Sequence, residues 1–170
     1  MGEKRAGAAL LQAIRPAICS KIDKKLRGFM HSEENSAATA DCLEKQSRLI
    51  RVMHVDDDPD LRLLISASLR GFGYFVATAG SVAEGLQLAR EFRFELFILD
   101  VRLPDGTGIE LCQQLQSLQP GVPVVYYSAY ASDEEQKAAL SVCGDAYLKK
   151  PVSAEYLEQT IAGLLRKKGS

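Results

Sequence analysis

From Arg48 onward the chain repeats one pattern: a short dense apolar run, a polar break, then a longer stretch whose apolar residues recur three or four apart. Dense runs of roughly four to eight residues suit strands covered on both faces, and the longer period suits amphipathic helices. The first strand is expected at about Ile50 to Val55. A helix follows from Pro59, a good first-turn residue, with Leu61, Leu64, Ile65 and Leu69 inward and Gly71 and Gly73 ending it. The second strand covers Tyr74 to Ala79, and Ser81-Val82-Ala83-Glu84 has capping-box spacing for a helix reaching about Phe92. Leu96 to Leu99 form a third strand, and the turn at Pro104-Asp105-Gly106 leads to a helix from about Ile109 to Leu118, stopped by Pro120-Gly121. Val122 to Tyr127 is the fourth strand, and Ser132-Asp133-Glu134-Glu135 opens a helix toward Val142. Ala146 to Leu148 is the fifth strand, and Ser153 caps a last helix to about Lys167. Five strands alternating with five helices imply a parallel sheet with helices on both faces.

The segment before Arg48 reads differently. Leu11, Ile14, Ile18, Ile22, Leu26 and Phe29 form one helical stripe, interrupted by Pro16 at a cost of ~3 kcal/mol inside a helix, so the more stable helix runs from Pro16 to about Met30. His31 to Ser47 lacks period and reads as a polar linker. Charge sharpens this boundary. The whole chain is at −1, yet residues 1–31 carry seven basic against two acidic side chains, which leaves −6 on the remainder. The expected organisation is a basic amphipathic helix plus linker over residues 1–47 and a globular domain over 48–168. The basic helix could bind an acidic partner or an anionic membrane surface, pair with itself, or be an over-extended start.

At 46% hydrophobic and 25% charged residues the composition is that of a globular protein. No apolar stretch approaches the roughly 18 residues of a membrane span, and Ala8 to Ile14 is poorly framed as a secretion signal. Cys19, Cys42, Cys112 and Cys143 show neither a CxxC pair nor metal spacing, so reduced thiols in a cytoplasmic protein are the expectation.

Candidate chemistry lies where the strands stop. Asp56-Asp57-Asp58 end the first strand, Asp100 ends Leu96-Phe97-Ile98-Leu99, and Lys150-Pro151 follow the fifth. In an open parallel sheet the carboxyl ends of the strands converge on one crevice, so three acids and a lysine would share a site. Carboxylates this close stay ionised only with a cation among them or with a raised pKa. Oxygen-only ligation suits Mg²⁺, which keeps several waters and shares its positions with phosphate oxygens. A phosphoryl group is therefore expected nearby. Asp58 is better placed as a helix cap than as a ligand, and Lys149 as a solvated strand-end charge. His54, within a covered strand, reads as a core histidine. Lys150-Pro151 is the best candidate for a cis peptide.

These residues resemble the receiver domain of two-component response regulators. Val55-Asp56-Asp57-Asp58-Pro59 is similar to the acid pair of that family, Leu99-Asp100-Val101-Arg102-Leu103-Pro104-Asp105-Gly106 to its phospho-acceptor loop, Val125-Tyr126-Tyr127-Ser128-Ala129 to its switch hydroxyl, and Lys150-Pro151 to its lysine. All stand in the family's order, and Asp57, Asp100, Ser128 and Lys150 lie 43, 28 and 22 residues apart in turn, enough for each crossover and strand.

The resemblance implies an α/β fold, a doubly wound five-stranded parallel sheet of flavodoxin-like order 2-1-3-4-5 with five helices. It also implies phosphorelay signalling: Asp100 accepts phosphate from a histidine kinase or histidine phosphotransfer protein. Asp56, Asp57, Asp100 and the backbone carbonyl of Arg102 hold Mg²⁺. Lys150 and Ser128 assist phosphoryl transfer, and Ser128 with Tyr147 forms the switch. Arg102 and Tyr130 occupy the positions that tune dephosphorylation, and both are large. Such a protein is no enzyme beyond its own phosphorylation and dephosphorylation. Only about two residues follow the last expected helix, so the expectation is a stand-alone receiver. It would signal through a protein target on the face of the fourth helix, fifth strand and fifth helix, without direct nucleic-acid contact.

Two other readings compete. A receiver-like interaction module that is never phosphorylated would not need all the site positions filled. A phosphatase of the haloacid-dehalogenase kind would need its nucleophile after the first strand in a DxD pattern, which Asp56 to Asp58 followed by Pro59 does not supply.

Overall fold

The computed structural model describes residues 49–129 and 132–168. The expected helix and linker over 1–47, and Tyr130, lie outside them. Five strands, β1 (Arg51–Val55), β2 (Phe75–Ala79), β3 (Leu96–Leu99), β6 (Val124–Ser128) and β7 (Ala146–Lys149), pair in parallel in the order β2-β1-β3-β6-β7. Counting only these strands, this is the 2-1-3-4-5 order expected. The helices are α1 (Pro59–Gly71), α2 (Val82–Glu91), α3 (Gly108–Leu118), α4 (Asp133–Val142) and α5 (Ala154–Lys168). None of the described helices is long and apolar enough to cross a membrane.

Alternation along the strands divides the core in two. Val52, Leu96, Ile98, Val125, Tyr127 and Leu148 face α1 and α5, where they meet Ile65, Leu69, Leu157 and Ile161. Met53, Val55, Phe97, Leu99, Val124 and Tyr126 face the other way, onto Leu86 and Ala89 of α2, Leu111, Cys112 and Leu115 of α3, and Ala139 of α4. Burying both faces explains why β3 is Leu-Phe-Ile-Leu without a polar residue. Each such side chain contributes about 1.5–3 kcal/mol relative to an exposed one.

The starts of α1, α3 and α5 follow local chemistry, and that of α2 does so only in part. Asp58 caps α1 by accepting from the N–H groups of Asp60 and Leu61, Ser153 accepts from Tyr156 N–H at 3.2 Å, and Thr107 with Glu110 forms a complete capping box on α3. At α2, Ser81 accepts from Glu84 N–H, but the Glu84 carboxylate turns back to Gly80 N–H at 2.7 Å. The free N–H groups of Val82 and Ala83 go instead to Asp105, at 2.7 and 2.9 Å. Asp105 sits in the tip between two short antiparallel strands, β4 (Arg102–Leu103) and β5 (Gly106–Thr107), where the sequence suggested a simple turn.

The cysteines require a correction. Cys112 of α3 and Cys143, just past α4, form a disulfide with Cα atoms 6.3 Å apart. Their 31-residue separation leaves no local motif from which the pairing could be read.

Candidate functional site

The strand order reverses at β1, which has β2 on one side and β3 on the other, and a crevice opens there at the carboxyl ends. Backbone hydrogen bonds fix the residues around it. Asp56 N–H donates to Ala79 O at 3.1 Å, Asp100 N–H to Val55 O at 2.9 Å, and Lys150 N–H to Ser128 O at 2.9 Å. Asp56, Asp100, Ser128 and Lys150 thus depart from points already anchored to a neighbouring strand. Gly108 belongs to the same frame, since any side chain there would collide with the Asp100 carbonyl oxygen.

The crevice brings together Asp56, Asp57, Asp100, Ser128 and Lys150. Asp56 is fully buried, Asp100 and Ser128 nearly so, and Asp57 is exposed. The Lys150 ammonium donates to Asp56 Oδ2 and Asp100 Oδ2, both at 2.5 Å. Ser128 Oγ donates to Asp100 Oδ1 at 2.7 Å, and Arg102 N–H reaches the same oxygen at 3.3 Å. Asp56 Oδ1 accepts from Asp58 N–H at 3.0 Å. The ammonium also lies 5.4 Å from the centre of the Tyr127 ring, within cation–π range.

Electrostatics follow from this packing. Burial pushes the Asp56 carboxyl up, but His54, Lys150 and the Asp58 N–H together outweigh burial and hold it below its ordinary value. Burial pushes Lys150 down, while hydrogen bonds and charge from Asp100 and Asp56 more than restore its proton. One carboxylate oxygen from each of Asp56, Asp57 and Asp100 lies within 4.8 Å of the others, so the acidic crevice could hold a metal ion. An all-oxygen donor set of this kind fits a hard divalent cation.

Other expected residues fall elsewhere. Tyr147 is half-buried on β7, its ring 6.3 Å from that of Tyr126. Arg102 is exposed on β4, and Lys149 is exposed at the end of β7. The Lys150–Pro151 peptide is cis. His54 is buried as expected of a core residue, and its Nε2 is 3.6 Å from Asp56 Oδ2, as two residues i and i+2 on one strand face allow. Arg62 was also missed: its guanidinium donates to Asp56 O at 2.5 Å and lies over Gly80. The six-residue offset from Asp56 across a helix start carries no motif that could have found it.

Comparison with known proteins decides the family. Residues 52–162 match the model of the response regulator receiver domain. The chain belongs to that family. This receiver is 37% identical over 120 residues to the probable transcriptional regulatory protein TcrX of Mycobacterium tuberculosis, a match covering 71% of the chain and 51% of TcrX. The match thus spans only about half the length of that relative. Among solved structures it is similar to the CheY-like receiver domain protein of Methanospirillum hungatei, with TM-score 0.69 and 33% identity over 71% of this chain and 97% of that one. A two-component response regulator from Clostridium difficile gives TM-score 0.68 at 26% identity, covering 71% of this chain and 99% of that one. Membership makes residues 52–162 a receiver domain of two-component response regulators.

Proposed function

We propose that this receiver takes a phosphoryl group onto Asp100 from a histidine kinase or histidine phosphotransfer protein and thereby changes a protein-binding face. The observation that carries the reading is Asp100 itself, with one oxygen held by Lys150, the other by Ser128, and two further carboxylates alongside. A carboxylate oxygen of Asp100 attacks phosphorus, the bond from phosphorus to the donor imidazole nitrogen breaks, and the electron pair stays on that nitrogen. The product is an acyl phosphate. Lys150 balances charge on the phosphoryl oxygens, and the Ser128 hydroxyl, which now donates to Asp100, turns to donate to the phosphoryl group.

Asp56, Asp57 and Asp100, with the backbone carbonyl of Arg102, would hold Mg²⁺. When bound, it supplies positive charge against the phosphoryl oxygens. Hydrolysis returns Asp100 to its free form, and Arg102 with Tyr130 slows it by obstructing the attacking water. The output face comprises α4, β7 and α5, with Ser128 and Tyr147 transmitting the change. Several of its side chains, among them Leu140 and Tyr156, are exposed. The partner proposed for this face is a cytoplasmic protein.

The test is phosphate incorporation from acetyl phosphate with Mg²⁺. The parent is expected to be labelled with acid-labile phosphate that hydroxylamine also removes, and Asp100→Asn to lose the label. Undiminished labelling of Asp100→Asn removes the acceptor assignment. Absence of label in the parent, with donors of both small-molecule and phosphohistidine type, would instead favour the non-phosphorylated interaction module.

A further inference from the structure

Away from the crevice, the described residues contain a second reactive group. Cys112 is fully buried in α3, whereas Cys143 is half-buried and borders a cleft of about 560 Å³ lined also by Gln113, Gln116, Leu140 and Asp145. The two halves of the Cys112–Cys143 disulfide therefore differ in access. On the inner side, the Tyr126 hydroxyl lies 3.5 Å from Cys143 Sγ. Burial pushes the Tyr126 phenol up to about 12, so it keeps its proton and faces the sulfur as a donor. A donor at that position favours thiolate over thiol. The Cys112 sulfur is 3.5 Å from the Cys143 carbonyl oxygen, so the reduced Cys112 thiol also has an acceptor.

The bridge also bears on α4. Of that helix, Ala139 alone among the described residues is fully buried. The chain after Cys143 rests on Tyr126: a side chain at Gly144 would come within 2.6 Å of that ring. A covalent tie to α3 adds to a contact that is otherwise small.

We propose that Cys112–Cys143 is a reversible redox site that exchanges with a low-molecular-weight thiol or disulfide admitted by the cleft, and that its state sets how firmly the end of α4 is tied to α3. In the oxidising direction the Cys143 thiolate attacks one sulfur of a small disulfide RSSR, breaking that S–S bond and releasing RS⁻. Cys112 then loses its proton and attacks the Cys143 sulfur, forming the internal bridge and releasing the second RS⁻. Two protein thiols are oxidised by two electrons, RSSR is reduced, and the two released thiolates take up the two protons. Reduction runs the same steps backward, with the small thiolate attacking Cys143 from the cleft. In a reducing compartment a bridge of this type is transient and responsive rather than structural.

The experiment uses the full chain with Cys19 and Cys42 replaced by Ser, reduced, then exposed to oxidised glutathione, alkylated and mapped by peptide mass. The parent is expected to give the Cys112–Cys143 cross-link. Cys112→Ala should instead accumulate a glutathione adduct at Cys143, and Cys143→Ala should give at least about tenfold less adduct at Cys112, following the access each sulfur has. Amide exchange at 139–142 should be at least about threefold faster in the reduced parent than in the oxidised one. No cross-link in the parent, equal adduct formation at the two sulfurs, or equal exchange in the two redox states would each overturn the proposal. None of these readouts uses phosphorylation, so they fail or succeed independently of the role given to Asp100.

Discussion

The floor of the crevice and the helix beside it are held in opposite ways. Asp56, Asp100 and Lys150 leave strand ends whose N–H groups are bonded to neighbouring strands, and their side chains are joined by short charged hydrogen bonds. Beneath them α3 sinks Leu111, Cys112 and Leu115 fully into the core. α4, which follows the floor residue Ser128 after a short connection, buries Ala139 and leaves Leu140 and Val142 exposed. A fixed floor can hold a phosphoryl group in one geometry, and a lightly packed helix is what a small charge change can move. The difference teaches where signal and chemistry would part company under the proposed function: reaction at the floor, response in α4.

The largest test of this contrast is packing. Leu115→Ala in α3 should cost about 2–5 kcal/mol as a core truncation, whereas Leu140→Ala in α4, at 38% exposure, should stay within about 0.5 kcal/mol. Denaturant unfolding measures both, and comparable losses would break the contrast. Mg²⁺ comes next: at about a hundred times its dissociation constant it should stabilise the parent by about 2.7 kcal/mol. Asp57→Asn, which removes an exposed member of the acidic set, should lose most of that gain. Melting with Mg²⁺ and with chelator reads the difference, and an equal gain in both proteins would detach Asp57 from the metal.

A smaller effect concerns acid. Asp56 is held below its ordinary pKa, so its interactions stabilise the fold above the ordinary value of 3.8 and the contribution is lost as pH falls through the lower folded-state value. In Lys150→Met, burial of Asp56 is opposed only by His54 and the Asp58 N–H, so the acid loss of stability should begin at higher pH than in the parent. Melting against pH in chelator tests this, and coincident acid limbs would show that Lys150 is not what keeps the floor charged. The smallest effect is expected on removing residues 1–46: the sheet is complete within 51–149, so stability should change by less than about 0.5 kcal/mol. Loss of cooperative unfolding would make the amino-terminal segment part of the fold.

The sequence announced the floor better than its surroundings, for a physical reason. A strand covered on both faces is a dense apolar run, and a carboxylate or lysine directly after such a run has only the strand-end crevice to occupy, so Asp56, Asp100 and Lys150 stood out. The caps at Asp58 and Ser153 were legible because their partners lie within a few residues. Asp105 reaching the start of α2 was not, because those groups are 22 and 23 residues apart and the nearer Glu84 offered a plausible local answer. The Arg62 contact with Asp56 and the Cys112–Cys143 bridge depend likewise on how elements pack rather than on spacing.

The central claim, a fixed floor with a responsive α4, is tested most directly by amide hydrogen exchange on the full chain with Mg²⁺, in the presence and absence of beryllofluoride as a phosphoryl mimic on Asp100. The account predicts that protection changes in α4 and β7 while β1, β3 and α3 keep theirs. An unchanged α4, or a change of equal size in α3, would contradict it.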